Sequence, residues 1–108
     1  MRHGGWFTLL LPIFYNDGKH VPGSKFDQTM LELIEQFGGF TYFPEPTFIT
    51  QGFWKSRGIV YDDHIRIYAV YAEDINTARA YLSAMKPKWK RRFRQEEMLI
   101  VEMGVEVL

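Results

Sequence analysis

The chain has 108 residues, 46% of them hydrophobic and 17% aromatic, and its 13 basic and 13 acidic side chains cancel to a formal net charge of zero. That length and apolar content predict one globular domain with a real core, and the balanced charge argues against a dedicated nucleic-acid protein at whole-chain level. Cysteine is absent, which excludes disulfides, thiolate nucleophiles and Cys-ligated metal, and fits the reducing, cytoplasmic compartment expected by default.

The first apolar run, Phe7 to Tyr15, is too short to span a membrane. It has a positive flank like a signal peptide, but Asn16-Asp17-Gly18 forms a turn where a small-residue cleavage site would stand. The run therefore reads as a first strand, central because it is continuously apolar, with Pro12 marking a bulge. Ser24 to Phe37 predicts a helix: Phe26, Met30, Leu33, Ile34 and Phe37 fall at helical spacing. Ser24 and Asp27 suggest a capping box, and Gly38-Gly39 a left-handed stop.

Phe40 to Pro46 is aromatic and broken by proline, and reads as a loop. Thr47 to Trp54 and Ile59 to Ala72 form a predicted hairpin across Lys55-Ser56-Arg57-Gly58. The second of these strands alternates with period two. Ile65, Ile67, Ala69 and Tyr71 lie on one side, and His64, Arg66, Tyr68 and Val70 on the other. Asp74 is an N-cap candidate for a second helix, whose stripe runs through Ala78, Leu82, Met85, Trp89 and Phe93. Pro87 inside that stripe predicts a kink or a break. Met98 to Leu108 closes the chain as a strand, interrupted at Gly104.

This order predicts an α+β, ferredoxin-like βαββαβ domain: a four-stranded antiparallel sheet with two helices on one face. The other face is left open. With Trp54, Arg66, Tyr68 and Val70 assigned to it, that face is too apolar for water alone, and a second copy, a ligand or a partner chain should cover it. Nine Phe, six Tyr and three Trp are also more rings than one small core comfortably holds.

Two motifs carry a resemblance. Gly52-x-Trp54 stands before the hairpin turn and Tyr61-Asp62, and Trp89-Lys90-Arg91-Arg92-Phe93-Arg94-Gln95-Glu96 leads into the last strand. The chain resembles a small bacterial protein family of unknown function with a ferredoxin-like domain. Members of that family show Gly-x-Trp before the central hairpin and aromatic-Lys-x-x-Phe-x-Gln-Glu before the last strand. The resemblance spans residues 7–108, with its specific part in the second half, and family members tend to carry a longer loop after the first strand. It implies a fold and no particular reaction.

Three groups of residues are candidates for function. Six of the nine residues from Lys86 to Arg94 are basic. Lys88, Lys90, Arg91, Arg92 and Arg94 are basic partner-binding candidates, suited to an acidic protein or to nucleic-acid phosphates. Trp89 and Phe93 continue the core stripe, which favours burial over stacking on a base, and positive charge is favoured at a helix C-terminus in any case. Within this segment Gln95 is placed to cap the helix end and Glu96 to pair with Arg92 at four-residue spacing.

The second group, Trp54, Tyr61, His64, Arg66 and Tyr68, are ligand or interface candidates on the sheet. RNA-binding ferredoxin-like domains place aromatics on such a face, but Arg66-Ile67-Tyr68-Ala69-Val70-Tyr71 lacks their Gly and Phe, so a homodimer interface is the preferred reading. The third group is Asp62-Asp63-His64. Only Asp62 and His64 share a side of a strand, and two ligands make no metal site. No catalytic residue, metal or cofactor is assigned, and no membrane partner is expected. The expected protein is a self-associating binding module using its open sheet face and basic helix end. The alternatives are a small-molecule-binding enzyme with a pocket on the sheet face, and a nucleic-acid-binding protein.

Overall fold

The computed structural model describes residues 1–42, 50–56 and 59–108, the side chains of 50–56 and 59–63 excepted. Its elements in chain order are β1 (Arg2–Pro12), α1 (Gly23–Phe37), β2 (Thr41–Tyr42), β3 (Thr50–Ser56), β4 (Ile59–Ala72), α2 (Ile75–Arg92) and β5 (Ile100–Val107). The sheet runs β2–β4–β1–β5, with β3 also paired to β4 and every pairing antiparallel. β2 meets β4 at Tyr68 and Ala69, and β3 meets it from Ile59 to Ile65, so the two short strands share one edge position. The result is the expected ferredoxin-like arrangement of four strand positions and two helices.

β1 is central because it pairs on both sides, with β4 and with β5. It begins at Arg2, well before the predicted Phe7, because Gly4 and Gly5 let other groups approach the backbone closely. A Cβ on Gly4 would lie 2.5 Å from the Ala72 carbonyl oxygen and 2.7 Å from the Tyr71 ring, and one on Gly5 would lie 2.6 Å from the Phe7 ring. At the other end Pro12 closes the regular ladder opposite Ile65, and the Ile13 N–H donates to the His64 carbonyl at 3.0 Å. The turn expected at Asn16-Asp17-Gly18 is present: the Gly18 N–H donates to the Tyr15 carbonyl, and Gly18 takes a φ of 84°.

The faces of the sheet are exchanged relative to the expectation. The register sets Phe7 opposite Val70, Leu9 opposite Tyr68 and Leu11 opposite Arg66. Residues directly opposed in a ladder share a face. Phe7, Leu9, Leu11, Tyr68 and Val70 join one core cluster with Phe26 and Leu33 of α1 and Ala78, Leu82 and Trp89 of α2. Tyr68, Val70 and Arg66 therefore lie beneath the helices, not on the open face. The predicted alternation holds; its two sides are swapped. The bare face carries Trp6, Thr8 and Leu10 of β1, Ile67 and Tyr71 of β4, and Val101 and Met103 of β5, around Ile65 and Ala69 of β4, which are buried.

The helices differ from expectation at their ends. α1 starts at Gly23, behind an extended Pro22 that serves as N-cap, and no side chain caps it, so Ser24 and Asp27 form no capping box. Pro22 sets the entry direction before Ser24 is reached. The stop is as expected: Gly38 sits at φ 80° and its N–H donates to the Ile34 carbonyl at 2.7 Å. Asp74 does cap α2, its carboxylate accepting from the Thr77 N–H at 3.0 Å. Pro87 does not divide α2, which runs from Ile75 to Arg92 as one helix. β5 likewise passes through Gly104 without interruption. Among the described residues, no helix is long and apolar enough to cross a membrane.

Candidate functional site

Three surfaces collect the chemistry-bearing side chains. The first is the end of α2. Its basic residues, adjacent in sequence, separate in space. Arg92 turns inward and is nearly buried; its guanidinium donates to Thr29 Oγ1 at 2.8 Å and forks onto both carboxylate oxygens of Glu32 on α1. The Trp89 indole N–H donates to the same carboxylate at 3.0 Å, and Lys88 Nζ lies 3.4 Å from it. Burial pushes the Glu32 carboxyl upward, but these donors and the Arg92 charge outweigh it and hold the group down at about 2. The expected Arg92–Glu96 pair does not form, because the inward rotamer of Arg92 finds a partner on the other helix. Arg92 and Lys88 are thus committed to holding α1 against α2.

Trp89 and Phe93 are both 0% exposed, so neither ring can stack on a base. The remaining candidates, Lys90, Arg91 and Arg94, line an open cleft of about 520 Å³ with Pro87, Gln95 and Glu96. Gln95 does help to close the helix end, its backbone N–H donating to the Lys90 carbonyl at 2.9 Å.

The second surface is an aromatic corner where β4 meets α1. The rings of Phe40 and Tyr42 pack on Tyr68 with centroids 5.1 and 5.7 Å away. The Tyr68 hydroxyl reaches toward the Phe26 carbonyl at 3.5 Å, and burial pushes its pKa up. Arg66 lays its guanidinium 4.2 Å over the Phe26 ring, and its buried Nε has no hydrogen-bond partner among the described residues. Further along the same side of β4, His64 meets Phe14 edge-on at 6.0 Å, and Phe14 meets His20 at 5.2 Å. The structure thus brings His64, Arg66 and Tyr68 into one row. Trp54 and Tyr61 stand opposite each other in the β3–β4 register, and their side chains lie outside the described residues, as do those of Asp62 and Asp63. Among the described residues, no three His, Asp or Glu side chains converge as a metal site would require.

The third surface is the bare sheet face. Val101 is 44% exposed and Met103 54% exposed, and beside them Trp6, Leu10, Ile67 and Tyr71 are only half-buried. None of the residues of this face was a site candidate from sequence, although the apolar alternation of Leu99, Val101 and Met103 on the last strand is a signal that could have singled it out.

No family model matches the chain, and no curated protein matches it either. Among solved structures it is similar to a phage SAM lyase in complex with S-methyl-5'-thioadenosine. That match has a TM-score of 0.68, covers 93% of this chain and 80% of the lyase chain, and carries 9% sequence identity, a likeness of fold.

Proposed function

We propose that this protein is a self-associating binding module, and that two copies meet through the bare face of the sheet. The observation carrying this reading is the row of apolar side chains left on that face, Trp6, Leu10, Ile67, Val101 and Met103, in a chain whose helices both pack on the other sheet face. Two such faces can pack about 10 Å apart with their side chains interleaved, and the row is broad enough to contribute to the roughly 800 Å² per partner that a stable interface needs. Light scattering tests it. At about 10 µM, within the affinity range of ordinary interfaces, the wild-type protein is expected to run above monomer mass. The double variant Val101→Glu, Met103→Glu is expected to run as a folded monomer. A strictly monomeric wild type would refute the reading.

A second reading is a small-molecule-binding protein, and the likeness to a lyase crystallised with a thioether nucleoside favours it. In this chain the site would be the aromatic corner. Tyr42 and Phe40 there offer ring faces, and the buried Nε of Arg66 is a donor without a partner among the described residues. Calorimetry with S-adenosylmethionine and with S-methyl-5'-thioadenosine decides it: binding that Arg66→Ala or Tyr42→Ala weakens supports this reading, and no heat with either ligand excludes it for that chemistry.

A further inference from the structure

The cleft at the end of α2 has a feature that a merely solvated helix end does not need. The backbone there is closed by its own hydrogen bonds: Phe93 N–H to the Trp89 carbonyl at 2.9 Å, Arg94 N–H to Arg91 at 3.2 Å, and Gln95 N–H to Lys90 at 2.9 Å. The cations are therefore not required as caps. This closure forces residue 94 into the left-handed region, φ 53°, a position that favours glycine. Arg94 is the only non-glycine with positive φ among the described residues, and a Cβ in that conformation costs free energy. What the arginine gains is position: its guanidinium lies 4.3 Å over the Tyr15 ring, which holds the charge at the cleft. Strain of this kind persists where a side chain is needed in one place.

The neighbouring charges sharpen the point. Lys86 is paired with Glu97, and Lys88 and Arg92 with Glu32. Lys90, Arg91 and Arg94 make no ion pair among the described residues, and they face the cleft with Glu96 as its one carboxylate. Three cations lining one open cleft suit a multiply charged anion, and guanidinium forks suit phosphate oxygens. Because Trp89 and Phe93 are buried, recognition would fall on the phosphate and not on a base.

We propose that Lys90, Arg91 and Arg94 form a phosphate-binding site, its ligand a free nucleotide or the phosphates of a single-stranded nucleic acid. The test is a set of titrations with inorganic pyrophosphate, ATP and a labelled twelve-residue oligothymidylate, each at low and near-physiological salt, on the wild type and on Arg94→Gly and Arg91→Ala. All three probes should bind the wild type at low salt. Arg94→Gly is expected to raise the melting temperature, by releasing the backbone, while weakening pyrophosphate binding roughly tenfold, the scale of a lost charged hydrogen bond. Arg91→Ala is expected to weaken it similarly. ATP binding that survives higher salt assigns the site to nucleotides. Oligonucleotide binding that is the tighter of the two and collapses with salt assigns it to a nucleic-acid backbone. The proposal is overturned if pyrophosphate fails to bind at low salt, if Arg94→Gly binds as the wild type does, or if polyglutamate binds as tightly as the phosphate probes.

Discussion

At the scale of single residues, the organising contact is the Glu32 carboxylate between the helices. It accepts from Arg92 and Trp89, and its Arg92 partner is desolvated, so the pair is worth more intact than either half alone. Glu32→Ala would leave the Arg92 guanidinium buried without its counter-charge. We expect a loss of about 3 kcal/mol, read from the midpoint of urea unfolding. The same carboxyl sets an acid limit. Its folded pKa of about 2 lies below the ordinary 4.5, so its contribution is fully present above the ordinary value and is lost as pH falls toward the folded one. The wild type should lose on the order of 2 kcal/mol across that window, and Glu32→Gln should show a flatter pH dependence there. Sequence places Arg92 four residues before Glu96 and suggests that pair. It does not place Glu32 beside Arg92, because the two are sixty positions apart and meet only when the helices dock.

At the scale of elements, β1 shows how a strand's neighbours constrain it. Gly4 underlies the Tyr71 ring and Gly5 gives room to Phe7 and Ile75, so opposite faces of the strand are both approached closely at adjacent residues. Gly4→Ala would drive a methyl against the Ala72 carbonyl, a backbone group that cannot swing aside. A cost of about 2 kcal/mol is expected, measured by thermal unfolding. Gly104→Ala on β5 is the control: nothing lies within 4 Å of its Cβ, so its effect should stay within about 0.5 kcal/mol. The Gly4-Gly5 pair is visible in the sequence, but as an element it reads as a leader ahead of Phe7, since glycine is disfavoured in strands unless a close approach requires it. α2 shows the converse: Asp74, the core stripe and Pro87 are all legible, yet the helix is continuous, held through Pro87 by Leu82 and Trp89 packing on either side of it.

At the scale of the whole molecule, one sheet face is roofed by α1 and α2 and the other is not. The uncovered face is built largely from half-buried and exposed apolar side chains of three adjacent strands, set around the buried Ile65 and Ala69. If two copies share that face, folding and association are linked, and the melting temperature should rise with protein concentration. Scans over a hundredfold concentration range would show a shift for the wild type and none for Val101→Glu, Met103→Glu. The basic end of α2 belongs to the helix layer and not to this face. A partner there and a second copy here need not compete.

Sequence alone determines the order of elements apart from β2, which falls where a loop is expected, together with the hairpin, the alternation along β4, the Asp74 cap and the Gly38 stop. Each is written in neighbours a few residues apart, where periodicity and local hydrogen bonding decide the outcome. Only the tertiary structure decides which side of the alternation is roofed. A period of two is unchanged when its sides are exchanged. Both sides of β1 are largely apolar, and the more apolar side of β4, Ile65, Ile67, Ala69 and Tyr71, is the one that no helix roofs, so local burial preference does not predict the outcome. The choice falls to the crossovers through α1 and α2, which lay both helices on the side of Leu9 and Tyr68 and leave Leu10 and Ile67 half-buried on the other. The same docking selects Arg92 and Lys88 for Glu32, and leaves Lys90, Arg91 and Arg94 facing the cleft.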